Sequence, residues 1–268
     1  MVVNGLGGSI GGEGADARPA EEVVREIVDA GGSGVANGDD VASDAGAQAI
    51  VDTAVDRFGR LDVLVDNAGI MRWARFPDVA RDDLDRHVAV HVAGSFLTAR
   101  AAWPHTVGQG YGRIVMTGSA GMFGLPTNTS YAVAKGGVVG LARSLATAGR
   151  PHGISVNVIA PAAMTRMAGP QAESGDDMGM SPDLVAPLVA FLAHEDCPVS
   201  GEIYAAGAGR FARIFVATTP GYLHAGGAPT VEDVAAHWAT INDEAGYHVP
   251  TDLLDRSATF TAHLDPDP

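Results

Sequence analysis

Segments of strand length and segments of helix length alternate along these 268 residues, and that alternation restricts the chain to few architectures. Residues 2–4 form a short β-branched stub, and residues 19–30 carry apolar side chains at 23, 24, 27 and 28, the stripe of a helix. Residues 34–37 read as a strand ending in Gly38-Asp39-Asp40. Residues 42–58 read as a helix with Ala49, Ile50, Thr53, Ala54 and Val55 turned inward. Leu61-Asp62-Val63-Leu64-Val65 is a buried strand, followed at once by Asp66-Asn67-Ala68-Gly69. A long helix is expected over about 82–107, a strand at 113–117, a helix at 130–149 and a strand at 154–160. A helix at 182–194 and a last buried strand at 202–206 follow. Such alternation builds βαβ units, so the predicted fold is a three-layer α/β sandwich with a mainly parallel sheet between helices. From about Arg210 the pattern changes to a strand at 214–217, a turn at Thr219-Pro220-Gly221 and a helix over 230–244. The chain therefore divides into 1–209 and an extension, 210–268, too short for a core of its own.

Composition narrows the functional classes. Apolar residues make up 46% of the chain, yet no apolar run reaches the length that spans a membrane. The first residues lack a charged region followed by an apolar stretch, so no secretion signal is read and a cytoplasmic protein is expected. On that reading the sequon Asn128-Thr129-Ser130 is an accident. The single cysteine, Cys197, excludes an internal disulfide framework and a cysteine-rich metal site. A formal charge of −15 argues against a nucleic-acid partner, and it requires any anionic ligand to be held by local donors against the global field.

The chain contains one lysine. Sixteen of its seventeen basic side chains are arginine, and Lys135 stands alone, four residues after Tyr131 in Tyr-Ala-Val-Ala-Lys. A compact ammonium with three donors does what a flat guanidinium cannot at a tight site. Spacing of i, i+4 puts phenol and ammonium on one helix face. A fixed positive neighbour favours phenolate, and that makes a phenol usable as an acid or base near neutrality.

Further motifs fall in a fixed order around this pair. Gly38-Asp39-Asp40-Val41 follows one strand, Asn67-Ala68-Gly69 the next, and Met116-Thr117-Gly118-Ser119 a third. Tyr131 and Lys135 come on a helix, and Asn157-Val158-Ile159-Ala160-Pro161 with Thr165 closes the series. Over residues 1–207 the chain resembles the short-chain dehydrogenase/reductase family. Val90-His91-Val92-Ala93-Gly94-Ser95-Phe96 and Arg100-Ala101-Ala102-Trp103 are similar to its (R)-3-hydroxyacyl-CoA dehydrogenase branch, found in type 2 multifunctional enzymes. The resemblance implies Tyr131 as general acid/base, with Lys135 holding the nicotinamide ribose and lowering the phenol's pKa. It implies Asp40 and Val41 at the adenine, Asn67, Ala68 and Gly69 along the cofactor cleft, and Pro161–Thr165 at the carboxamide. It further implies NAD or NADP, with NAD favoured, a small-molecule substrate, and a homodimer or homotetramer paired through the helices at 82–107 and 130–149. No metal is expected. His87 and His91 share the i, i+4 spacing of a metal pair, but no carboxylate or cysteine motif accompanies them, and a packing role is preferred.

Three departures qualify the resemblance. The family's serine usually lies thirteen residues before the tyrosine, where this chain has Gly118; Ser119, one residue nearer, is favoured as the donor over a lost serine. His91 stands where many members carry an asparagine, which makes it the weaker catalytic candidate. The third departure is the largest. The family opens with a strand, a glycine-rich turn and a helix, a unit of roughly 30 residues, whereas Met1 falls at what reads as the second strand. A sheet lacking its first strand and helix is therefore expected, with Gly5–Gly14 a mobile loop that should not be mistaken for the fingerprint. Gly5 also occupies the place of the branch's ribose-binding aspartate.

Two functions compete on this reading: an oxidoreductase acting on a secondary alcohol or ketone, and a truncated or non-catalytic homologue serving as a partner subunit. The sequence predicts that the 268-residue chain binds NAD(H) weakly or not at all. The pyrophosphate meets a net charge of −15 without the aligned N–H donors of a glycine-rich turn, and each lost charge-assisted hydrogen bond is worth about 1.5–3 kcal/mol. Titration calorimetry with NADH and NADPH checks this, and micromolar affinity for either contradicts it.

Overall fold

The computed structural model describes residues 1–167 and 179–264, so most of the segment expected to cover the substrate site, 168–180, lies outside the described residues. The chain forms two compact units, Met1–Arg213 and Ile214–Pro268.

In the first unit β1 (Val2–Asn4) leads through a glycine-rich loop to α1 (Arg18–Asp29), and β2 (Val35–Asn37) returns parallel to β1 with Val3 opposite Ala36. α2 (Asp44–Phe58) begins at Ser43, whose hydroxyl accepts from the Gly46 N–H, and ends at Gly59 in the left-handed conformation that glycine adopts without strain. β3 (Val63–Asp66), β4 (Gly112–Thr117), β5 (Ile154–Ala162) and β6 (Ile203–Gly207) form a second, parallel sheet in that spatial order. β7 (Arg210–Ile214) adds beside β6, and the two-residue turn Ala208-Gly209 permits only an antiparallel return.

Ile114, Val115 and Met116 of β4 and Val156, Val158 and Ile159 of β5 are buried, as central strands of a parallel sheet covered on both faces are. On one face Leu64 of β3 packs with Val51 of α2 and with Ala101 and Ala102 of α4 (Gly94–Gln109). On another Val115 and Ile159 meet Val185, Cys197 and Leu192 of α6 (Ala186–Leu192). α5 (Thr129–Gly149) lies along β5, burying Ala134, Val138, Ala142 and Ala146 at a four-residue interval.

The parallel α/β sheet agrees with the reading from sequence, and three local features add to it. Among the described residues no strand joins β1 to β3, so the β1–β2 pair stands as its own sheet, divided from the rest where the resemblance places a further strand. Val63 and Val65 on β3 are correspondingly exposed. The glycine-rich stretch expected to be mobile folds as interlocked turns: Ser9 N–H donates to the Glu13 carbonyl, Gly12 N–H to Ser9 and Asp16 N–H to Leu6. At Gly7, with φ +69°, a Cβ would lie 1.8 Å from the Asp16 carbonyl oxygen, so only glycine permits that crossing. The Met71 N–H donates to the Ile10 carbonyl, and Arg72 reaches the Gly11 carbonyl together with Glu13, Asp82 and Asp83, tying the loop down.

The third feature lies in the helix expected over 82–107. It runs as α3 (Arg81–His87), a π-helical segment from Val88 to Ala93, and α4. The wider π turn leaves His87 and His91 both fully buried.

The second unit contains α7 (Val231–Ala236), α8 (Trp238–Ile241) and α9 (Leu253–Thr261). Thr230 and Asp233 close a reciprocal cap on α7, and Asp252 accepts from the N–H groups of Leu254 and Asp255 at the start of α9. The single helix expected over 230–244 is interrupted at His237, whose ring stacks on Tyr222 at 3.7 Å. The strand expected at 214–217 lies earlier, as β7; Thr218 makes only an isolated bridge to His248.

Candidate active site

The first turn of α5 is positioned by Asn128, whose side-chain oxygen accepts the Tyr131 N–H at 3.1 Å and the Ser130 hydroxyl at 3.1 Å. Asn128 is fully buried and sets where the helix begins. Tyr131 and Lys135 then occupy one face, one turn apart, and are 8% and 3% exposed. Lys135 Nζ lies 5.5 Å from the Tyr131 ring centroid and donates to the Thr117 carbonyl at 2.6 Å, which fixes α5 to the end of β4. The Ser119 side chain hydrogen-bonds that of Tyr131 and accepts the Gly121 N–H at 3.0 Å.

Local packing explains why the serine stands at 119. The Gly118 N–H donates to the Ile159 carbonyl at 2.7 Å, holding residue 118 against β5, and a Cβ there would lie 2.7 Å from Val158 Cγ1. A side chain at 118 is excluded, whereas the next residue turns toward Tyr131. The structure thus brings Ser119, Tyr131 and Lys135 together.

Burial dominates the electrostatics. It pushes the Tyr131 phenol above its ordinary value, and the Ser119 hydrogen bond offsets part of that rise. Burial of the phenol itself thus raises it against the lowering expected from Lys135, and burial pushes the ammonium down to about 8. His91 is driven to about 3, first by burial and then by the Lys135 charge, and burial likewise lowers His87. Both imidazoles are neutral at pH 7.

The cofactor-site residues expected from the motifs gather at the carboxyl ends of the strands, where open α/β sheets hold ligands. Asn67 Oδ1 accepts the Thr117 hydroxyl at 3.1 Å, coupling the ends of β3 and β4. A Cβ on Gly69 would lie 2.6 Å from His91 Cε1, so glycine is required for the buried ring to fit. Ala68 sits between Asn67 and Gly69 in the loop after β3. Asp40 turns its carboxylate onto the Ala42 N–H, and Val41 packs against Gly94 at the start of α4. Pro161 lies on the last pairs of β5, opposite Ala206. Thr165 follows that strand, its hydroxyl accepting the Met167 N–H at 3.3 Å.

Two groups beside the site were not assigned from sequence. His87 and His91 stack at 5.8 Å and present both rings edge-on to Tyr131, at 5.9 and 5.4 Å. His91 Nε2 lies 2.9 Å from the Ile70 carbonyl oxygen and 3.2 Å from the Ile70 N–H. With the proton on Nε2 the ring donates to that carbonyl, and Nδ1 is left buried without a partner. His87 is held by the Asp83 carbonyl, the Ser130 hydroxyl and the Arg72 N–H. The sequence carried two signals, their i, i+4 spacing and the place of His91 where many family members have an asparagine. The second group is Asp66 at the end of β3, which accepts the Thr98 hydroxyl at 2.7 Å on one oxygen while the other is buried and unpartnered.

A parallel α/β sheet with a buried tyrosine–lysine pair and a serine at its strand ends is the frame of a nucleotide-cofactor oxidoreductase. The chain belongs to the short-chain dehydrogenase family, whose sequence model matches residues 11–175. It is 41% identical to a short-chain type dehydrogenase/reductase of Mycobacterium tuberculosis over 247 residues, 92% of this chain and 86% of that protein. It is 43% identical to peroxisomal multifunctional enzyme type 2 of Mus musculus over 210 residues, 78% of this chain but only 28% of that enzyme. The solved full-length peroxisomal multifunctional enzyme type 2 of Drosophila melanogaster superposes with a TM-score of 0.78 at 28% identity, covering 98% of this chain and 48% of that one. Among the described residues no helix is long and apolar enough to cross a membrane.

Asp66 yields a stability prediction. Burial raises its carboxyl from 3.8 to about 7, and the Thr98 hydrogen bond only partly opposes this. Between those two values the folded chain holds a proton that the unfolded chain has released. Stability therefore falls as pH rises through that window, and the loss is complete above it. Asp66→Asn cannot ionise and keeps an acceptor for Thr98. It is expected to be more stable than the parent at pH 8 by about 1–3 kcal/mol, with the gain shrinking at pH 5. Thermal melts at both values check this, and no gain at pH 8 contradicts it.

Proposed function

We propose that the chain is an NAD(P)-dependent oxidoreductase interconverting a secondary alcohol and a ketone, with a 3-hydroxyacyl thioester as the favoured substrate class. One observation carries the reading: Ser119, Tyr131 and Lys135 converge at the strand ends, with Lys135, the chain's only lysine, buried beside the phenol. The substrate class rests on the likeness to the hydroxyacyl-CoA branch.

The residues present suit a nicotinamide cofactor. Thr117 takes one of the three Lys135 donors, leaving the ammonium able to hold ribose hydroxyls. Gly69 gives the buried His91 ring its room behind the site, and the resemblance assigns Asp40 and Val41 to the adenine end. When bound, such a cofactor supplies or accepts the hydride. In the reductive direction Tyr131 gives its phenolic proton to the carbonyl oxygen of the substrate, and Ser119 donates a hydrogen bond to the same oxygen. Lys135 then stabilises the phenolate left behind, and the neutral His87 and His91 rings exclude water from one side of Tyr131. In the oxidative direction the phenolate takes the hydroxyl proton. Cofactor preference follows the resemblance, with NAD favoured over NADP.

The helices α4 and α5 also support a homodimer or homotetramer. Phe96, Trp103, Val107 and Leu145 line an open, largely apolar hollow of about 500 Å³ on this face, the kind of surface that a second copy covers. Sedimentation showing a stable monomer at micromolar concentration counts against this. A non-catalytic partner subunit is the second reading, favoured only by the separation of β1 from β3.

Turnover decides between the two readings. In a preparation that reduces a 3-ketoacyl thioester, Tyr131→Phe is expected to lower kcat by on the order of 10²–10⁴-fold or more, and Lys135→Arg is expected to remain impaired. Retention of most activity by Tyr131→Phe refutes the assigned chemistry.

A further inference from the structure

Residues 214–268 contain eight carboxylates, from Glu232 to Asp267, and a single arginine or lysine, Arg256. In so acidic a segment a lone guanidinium is expected to pair with a carboxylate, yet among the described residues Arg256 makes no ion pair. It lies instead over the ring of Phe260, 4.0 Å from the centroid. Both side chains line a cavity of about 400 Å³ with Thr218, Tyr222, His248 and His263.

The surrounding acids are already engaged. Asp255 accepts the Thr251 N–H at 2.7 Å, the Thr251 hydroxyl at 3.1 Å and His248 at 3.1 Å. Asp252 is turned onto the N–H groups at the start of α9. Asp255 also orients the His248 ring. What remains toward the cavity is one planar, five-donor cation, two imidazoles, a hydroxyl and two aromatic rings.

We propose that this cavity is a small-molecule site for a phosphate monoester bearing a flat apolar group, with Arg256 as its anchor. A guanidinium fork matches two oxygens of a phosphoryl group at once, and Thr218 and His263 offer donors to the remainder. Phe260 holds the guanidinium plane and, with Tyr222, offers the ring faces on which a flat group rests. A cavity of this size suits a ligand of nucleotide dimensions or smaller. The site is built from residues of the C-terminal unit alone and uses none of the oxidoreductase residues named above.

Titration calorimetry of the 268-residue chain with phenyl phosphate at pH 7 tests the proposal. The parent is expected to bind with a dissociation constant below about 1 mM. Arg256→Ala should weaken binding about tenfold or more, Arg256→Lys should weaken it less, and Tyr131→Phe should leave it unchanged. The neutral, similarly shaped Arg256→Gln carries the alanine expectation if the alanine variant does not fold, as judged by circular dichroism. No binding by the parent, or binding by both neutral Arg256 variants as tight as the parent's, overturns the proposal. Loss of binding in Tyr131→Phe does so as well, because it places the ligand in the other unit.

Discussion

The hydrogen bond from Lys135 to the Thr117 carbonyl is the contact around which the first unit's site is organised. It joins the helix carrying Tyr131 to the carboxyl end of β4, and it does so with an ammonium taken almost wholly out of water. Desolvating a charge is unfavourable, so the arrangement holds only because the surrounding packing is tight: β4 and β5 are buried on both faces and α5 lies along β5. The same placement sets the ammonium 5.5 Å from the Tyr131 ring centroid. Function and folding therefore draw on one buried group in opposite senses, a common arrangement where a charged side chain is kept ready for chemistry.

Much of this was legible in the sequence. Strand-length segments between helical stripes, at 113–117, 154–160 and 202–206, located β4, β5 and β6, and Tyr131 and Lys135 at i, i+4 already implied one helix face. Ser119 was also identified, but the reason for its position was not, because it depends on Val158 filling the space where a side chain at 118 would project. That is a contact between residues forty apart in the chain, and no local pattern encodes it.

Other features escaped for similar reasons. The π-helical segment from Val88 to Ala93 differs from an α-helix by one residue per turn, and the apolar pattern of Val88-Ala89-Val90-His91-Val92-Ala93 fits both. Its consequence, two stacked neutral histidines against Tyr131, follows only from the fold. The lowering of the phenol's pKa expected from its neighbouring lysine neglected burial, which acts on both groups and wins. In the C-terminal unit the break at His237 reflects stacking on Tyr222, fifteen residues away, against a helix propensity that would carry through. The turns and contacts of the glycine-rich loop were not legible, because composition shows flexibility but not the anchoring by Arg72.

The state of Lys135 can be measured without ambiguity, since it is the only lysine in the chain. Labelling with lysine carrying ¹³C at the ε position gives one side-chain signal, and its chemical shift followed from pH 6 to pH 12 reports this single ammonium. Burial beside Tyr131 and Thr117 predicts a midpoint of about 8. A midpoint near the ordinary value of 10.5 would mean that the ammonium is solvated and free of the site, and would contradict the account.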